Sequence, residues 1–264
     1  MTDKVVILGT YEFVGFHICK KVLEDGLEVR GIHVPIKEDA LFIEEKLLEI
    51  GRNSNFSQCD YDKYDFDKEE YIFIVDFYDY FMRNCEQELL RLGDFFKKIN
   101  NRNCRKVILL LPISLLGENQ SKAEDLISSI KEDGIIVQSF FLPTIYGPWQ
   151  PEEFLFQKSM VYEDSEYKIT NREWTGDAIY VEDAAKTIIN LLNDSSESLL
   201  LKSKEINSWN RCAEILSLPL EEKNQNRNDF QGQEKLIENP TSIQSGIENQ
   251  KRIVQTLKVM GKLK

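Results

Sequence analysis

The stretch Gly9-Thr10-Tyr11-Glu12-Phe13-Val14-Gly15 follows the apolar run Lys4 to Leu8 and leads into a helical pattern. A strand, a tight glycine turn and a helix N-terminus together make a cradle for phosphate. One glycine makes the turn, a second lets the backbone touch a pyrophosphate, and a third lets the helix pack on the strand. Gly9 and Gly15 fill the first and third roles, and Glu12 stands in the second. A carboxylate there opposes a phosphate. At ~4 Å and an effective dielectric of ~20 the repulsion is on the order of 4 kcal/mol, about a thousandfold in affinity. Two readings therefore stand side by side: a dinucleotide site with Glu12 swung outward, and two glycines that only let the first helix pack. Metal chemistry has little material. The histidines are His17 and His33, and Cys19, Cys59, Cys85, Cys104 and Cys212 share no metal-type spacing. An odd count of thiols fits free cysteines in a reducing cytoplasm.

The elements that must position this turn alternate. Val14, Ile18, Val22 and Leu23 recur at helical spacing and Gly26 ends that helix. Glu28 to Val34 is a second strand, completing a βαβ opening of about 30 residues. Helices are expected over 40–50, 86–99 and 121–132, and strands over 71–75, 106–111 and 135–142. This rhythm implies an α/β fold, a Rossmann-type doubly wound parallel sheet with right-handed crossovers. Past Pro148 the pattern breaks. Gln150 to Thr175 is aromatic and charged without clear periodicity, 181–192 and 208–216 read as helices, 221–234 as a polar loop, and the end from Ser245 as an amphipathic helix. The expected division is a nucleotide-binding domain over 1–149 and 177–203, with a small C-terminal substrate-type domain over 150–176 and 204–264.

The chain has 264 residues, 42% of them apolar, and a net charge of −12. Such a surface repels nucleic acid and anionic membranes. No apolar run approaches the ~20 residues that span a bilayer. The start carries no secretory pattern, so a cytoplasmic protein is expected. The acidic, tyrosine-rich run Asp60 to Asp67 reads as a solvated loop or, alternatively, as a strip for a protein contact.

Several segments, in order, resemble the extended short-chain dehydrogenases/reductases, the NAD-dependent epimerase/dehydratase type. They are the Gly9 to Gly15 turn, Arg105-Lys106-Val107-Ile108-Leu109, Leu116-Gly117, Ser121-Lys122-Ala123, Pro143-Thr144-Ile145-Tyr146-Gly147-Pro148, Ala178 to Ala185, and Asn239 to Ile243 with Gly246-Ile247. The resemblance spans nearly the whole chain. It implies NAD or NADP as cofactor and a nucleotide or nucleotide sugar as small-molecule partner; a protein partner or homodimer stays open.

The resemblance also implies site residues. The turn residues Gly9, Tyr11, Glu12, Phe13, Val14 and Gly15 would face the cofactor. Asp60 resembles the acid that meets the adenine amine, and His33 stands where an acid usually takes the ribose. Asp76 and Phe77 stand where alanines line the cofactor, placing charge and bulk there. Lys122 matches the lysine that holds the ribose and tunes the acid/base tyrosine, but Glu118 occupies the tyrosine position and Pro112 that of the serine. Ser114 lies two residues further on. A sizeable loop that the family carries after Gly117 is missing, and Phe141 and Gly176 replace substrate arginines, leaving Lys158, Lys168 and Arg172 as the local cations. Glu118 and Lys122, four apart, also read as a helix-surface ion pair. Three functions follow as expectations: a catalytically reduced relative acting by nucleotide or protein binding; an active epimerase, dehydratase or reductase with Glu118, Lys122, Ser114 and Tyr146 as rearranged acid/base groups; or a structural or assembly subunit.

Overall fold

The computed structural model describes residues 4–34, 42–66, 69–99, 102–116, 120–131, 134–162, 167–218 and 230–263, with the backbone alone at 120–123, 129 and 131. The strands are β1 (Lys4–Leu8), β2 (Glu28–His33), β3 (Phe56–Asp60), β4 (Tyr71–Asp76), β5 (Cys104–Pro112), β6 (Val137–Leu142), β7 (Thr144–Tyr146), β8 (Ala178–Tyr180), β9 (Ser198–Lys202) and β10 (Gln233–Leu236). The helices are α1 (Phe13–Glu24), α2 (Ile43–Ile50), α3 (Phe77–Met82), α4 (Glu86–Leu90), α5 (Gly93–Phe96), α6 (Gln120–Lys131), α7 (Leu155–Val161), α8 (Val181–Asn190), α9 (Ser208–Ile215) and α10 (Ile243–Val259). No described helix is long and apolar enough to cross a membrane.

Eight strands form one parallel sheet in the order β3-β2-β1-β4-β5-β6-β9-β10. The order reverses between β1 and β4, so the crevice of this doubly wound sheet opens beyond the carboxyl ends of those two strands. β7 and β8 pair in a small parallel ribbon. β10 lies in the 204–264 stretch yet pairs with β9 in the main sheet.

Period-two alternation builds two cores from the same strands. Val5, Ile7, Ile72, Ile74, Ile108 and Leu110 face one side, where α1 and α8 lie. Val6, Leu8, Phe73, Val75, Leu109 and Leu111 face the other, with Phe77, Phe81, Phe95 and Phe96 against them. Burial on both faces is why these strands read as unbroken apolar runs.

Three expectations are corrected. The single helix over 86–99 is two short ones, α4 and α5, parted at Arg91 and Leu92, and α3 precedes them as an unforeseen turn of helix. Asn84 at φ 58° breaks α3 from α4, a left-handed position that asparagine tolerates. α7 forms within the stretch read as aperiodic. The described part of the acidic run, 60–66, is a loop as read: it opens on a 3-10 turn, Tyr61–Lys63, and exposes Asp62, Lys63 and Asp65, while Tyr64 is buried on Phe66 and Phe95. Phe77 points into the far core, stacked on Phe81, rather than into the crevice.

The turn after β1 is held by geometry. Gly9 sits at φ +90° and its N–H donates to Ile32 O at 3.0 Å. A Cβ on Gly15 would lie 2.2 Å from Gly9 O and 3.1 Å from Asp76 Oδ2. Backbone cannot retreat there as a flexible side chain would. Gly15→Ala is therefore expected to lower stability by about 3 kcal/mol, read as a lower urea midpoint at unchanged slope. A loss under about 0.5 kcal/mol contradicts the packing.

Candidate functional site

Every residue from Val5 to Cys19 is buried, the whole glycine turn included. The first N–H groups of a helix lack intrahelical partners and carry the positive end of its dipole. In α1 two of them are taken by acids from the next strand–helix turn. Val14 N–H donates to Asp79 Oδ2 at 2.7 Å, and Gly15 N–H donates to Asp76 Oδ2 at 2.6 Å. Asp76 also caps α3, its Oδ1 accepting from Asp79 N–H at 3.2 Å. These carboxylates stand where an anionic ligand would otherwise meet the helix.

Glu12 completes the cluster. Its Oε2 pairs with Arg83 Nη1 at 3.2 Å, with side-chain exposures of 0% and 3%. Arg83 Nε reaches outward to the half-exposed Glu153 at 3.3 Å. From α2, Lys46 donates to Tyr11 O at 2.6 Å and is itself buried. Burial pushes the Glu12 carboxyl up to about 7 despite Arg83 beside it. Burial also raises Asp76, where the neighbouring Asp79 charge adds to the rise, and it raises Asp79 against the pull of its own hydrogen bonds. Lys46 is pushed down to about 8 by burial, its acidic neighbours opposing. Burial works against the Arg83 charge as well, but the Glu12 and Glu153 carboxylates hold its pKa above the usual value.

Further along the carboxyl ends, the Tyr78 hydroxyl bridges the β6–β7 turn. It donates to Pro143 O at 3.0 Å and accepts from Ile145 N–H at 2.9 Å. α3 and its cap thus send Asp76, Asp79 and Arg83 to the glycine turn and Tyr78 to the opposite wall. His17 faces the same joint, with Nε2 2.9 Å from Pro148 O; burial pushes its pKa down to about 3, so it is neutral at ordinary pH.

The candidate residues fall into separate groups. Gly9, Glu12, Val14, Gly15 and Asp76 come together, as the sequence expects. Phe13 is buried on His17 and Phe154 instead. Tyr11, His33 and Asp60 form a second group at the ends of β2 and β3: His33 lies opposite Asp60 in register, and the Tyr11 and His33 rings stand edge-on at 5.6 Å. Asp60 is half-buried and paired with Lys63 at 2.6 Å, which holds its carboxyl below the usual range. Ser114 sits in a 3-10 turn, Ile113–Leu116, and its buried Oγ meets no described partner. Tyr146 is buried elsewhere, against Phe156, Tyr180 and Gly246. Lys122 lies in α6, described by its backbone alone, and Glu118 with Gly117 lies outside the described residues, so their ion pair does too. Arg172 is held by Glu86 at 3.1 Å and lies 4.3 Å over the Phe81 ring. Among the described residues no cluster of His, Cys, Asp or Glu is built to hold a metal.

Sequence reasoning missed Asp79, Arg83, Lys46 and Tyr78. The first two had a signal. Asp76, Asp79 and Arg83 are spaced by three and four within a run that is otherwise almost wholly aromatic or apolar, so they share one helix face.

No protein-family model matches the sequence, and no curated protein matches it. Solved structures do match in shape. UDP-glucuronic acid 4-epimerase from Bacillus cereus, in complex with NAD, aligns at a TM-score of 0.66 and 17% identity, over 96% of this chain and 99% of that one. The Bordetella bronchiseptica enzyme WbmH, in complex with NAD+, aligns at 0.62 and 14%, over 96% and 98%. The dTDP-glucose 4,6-dehydratase from Bacillus anthracis, in complex with NAD, aligns at 0.59 and 12%, over 96% of each. The chain has the extended short-chain dehydrogenase/reductase fold. Identities this low carry the fold alone. Within that fold, the Glu12–Arg83 pair is a charge contact drawn from the chain itself.

Leaving Glu12 buried without Arg83 strands a charge. Arg83→Ala is expected to cost about 3–5 kcal/mol, and the double change Glu12→Gln with Arg83→Met distinctly less. Denaturant unfolding of the three proteins checks this; a double variant as weak as the single one contradicts it.

Proposed function

We propose that this chain is a non-catalytic relative in shape of the NAD-dependent epimerases and dehydratases, with its dinucleotide crevice closed by its own side chains and the sheet serving as a binding scaffold. One observation supports this above the rest: the α1 amides of Val14 and Gly15 are already bonded to Asp79 and Asp76. The residues present do not fit a dinucleotide. Its diphosphate would have to displace two buried carboxyls and lie beside a third, Glu12, in a turn without exposed surface. A charge-assisted hydrogen bond contributes about 1.5–3 kcal/mol, so the intramolecular acids are strong competitors. They are also held at the helix by the chain itself, without the loss of freedom that a separate ligand suffers on binding.

The acid/base side agrees. Pro112 ends β5 without a donor where the resemblance implies a serine, and Tyr146 is enclosed in a core. The group Tyr11, His33 and Asp60 keeps polar atoms near the ends of β2 and β3. It favours a second reading, in which a nucleoside without a diphosphate bridge docks there.

Calorimetric titration with NAD(H) and NADP(H) tests the proposal. No heat of binding is expected up to about 1 mM, and a dissociation constant below about 100 μM overturns it. The double variant Asp76→Ala with Asp79→Ala frees both amides and leaves Glu12 as the one buried acid of the cluster facing Lys46 and Arg83. It is expected to bind inorganic pyrophosphate at least about tenfold more tightly than the natural chain.

A further inference from the structure

The charges in the closed crevice do not balance when all are ionised. Glu12, Asp76 and Asp79 are each 0% exposed, and the bases facing them are Lys46 and Arg83. Three negative groups meet two positive ones. An unmatched charge in the interior is relieved by taking up a proton. Glu12 Oε1 also meets no described donor, but Oε2 is paired with Arg83, which favours the charged form of Glu12 over that of the two aspartic acids. Asp76 and Asp79 are three residues apart at the start of α3, with the Asp79 N–H donating to Asp76 Oδ1. Asp79 Oδ1 is buried and accepts from no described donor. Two like-charged carboxyls so close in a buried site do not both ionise.

We propose that Asp76 and Asp79 share one proton, and that the crevice stays closed only while this proton is in place. The inference rests on the closed-crevice reading above and adds its regulation. The groups facing the pair are Glu12 from the glycine turn, Lys46 from α2, and Tyr78, Tyr80 and Arg83 from α3 and its end. Behind them stand His17 near Lys46, and Glu153 and Cys85 against Arg83. Burial holds both aspartic acids above the ordinary carboxylate range, in the direction the geometry requires.

The consequence has a definite sign. In the unfolded chain an aspartic acid loses its proton near pH ~4. The folded chain keeps one proton more from that pH up to the raised value. Stability from this pair is therefore full below ~4 and is lost as pH rises, the unfolding constant growing about tenfold per pH unit for one proton.

Asp79→Asn replaces the shared proton with an amide hydrogen, while the amide oxygen still accepts from Val14 N–H. Urea unfolding of the full chain, followed by far-ultraviolet circular dichroism between about pH 5 and pH 8, compares it with the natural protein. The unfolding constant of the natural protein relative to that of the variant is expected to rise about tenfold per pH unit. Glu12, Lys46, His17 and Glu173 titrate in both proteins and largely cancel in the ratio. A flat ratio overturns the proposal, as does the same dependence appearing with Glu12→Gln in place of Asp79→Asn. Should Asp79→Asn not fold, Asp76→Asn takes its place. The infrared carbonyl band of a protonated carboxyl, present in the natural protein at neutral pH and reduced in the variant, gives an independent reading, and its absence counts against the proton. Dinucleotide binding to the natural chain would sink the closed-crevice reading instead, so the two failures are told apart.

Discussion

The first turn of α1 has to satisfy amides that no helix can satisfy for itself. Water, a ligand or a side chain can do it. In this chain Asp76 and Asp79 do it, from inside the molecule. Much else around the crevice follows from that choice. Two acids at a buried helix N-terminus, with Glu12 beside them, demand compensating charge, and Arg83 and Lys46 supply it. Lys46 thereby ties α2 to the turn, and Arg83 ties α3 to Glu153 at the rim. A crevice that in an open doubly wound sheet receives a ligand becomes here a buried joint between β1, α1, α2 and α3.

The remaining contacts run the same way. Tyr78 satisfies the backbone of the β6–β7 turn. Arg172 is spent on Glu86 and the Phe81 ring. Aromatic residues that by type suit a pocket pack on each other or on α1: Trp149 on Phe16, Phe154 on Phe13, and Phe156 on Trp209. The scaffold shared with UDP-glucuronic acid 4-epimerase from Bacillus cereus is thus kept by strand register and two-sided burial, which are indifferent to what fills the crevice.

Much of this was legible in the residues. The parallel sheet shows in apolar strands alternating with helical periods, Glu12 stands out as an acid in a phosphate turn, and the resemblance marks Asp76 as a charge where alanine is usual. β3, β9 and β10 were not legible. They are four or five residues long. Ser57, Gln58, Gln233 and Glu234 on the edge strands are exposed, so no apolar run marks β3 or β10, and β9 has only the three leucines Leu199 to Leu201, shorter than the run that marks a buried strand. α3 was hidden because Phe77-Tyr78-Asp79-Tyr80-Phe81 carries aromatics on every side, being buried between the sheet and the β6–β7 turn. Lys46 was hidden for another reason: in sequence it is one lysine of an acidic amphipathic helix, and only the fold lays its tip on Tyr11 O. Contacts spanning 35 or 65 residues leave no local trace.

The two amides of α1 decide whether the crevice is closed. Hydrogen exchange of the Val14 and Gly15 N–H groups, resolved by nuclear magnetic resonance on the ligand-free protein, reads them directly. Because each is buried and bonded to an aspartic acid, both should exchange only with global unfolding, at rates that millimolar NADH leaves unchanged. Fast exchange in the free protein, slowed when NADH is added, would mean that the amides await a ligand and that the crevice is open.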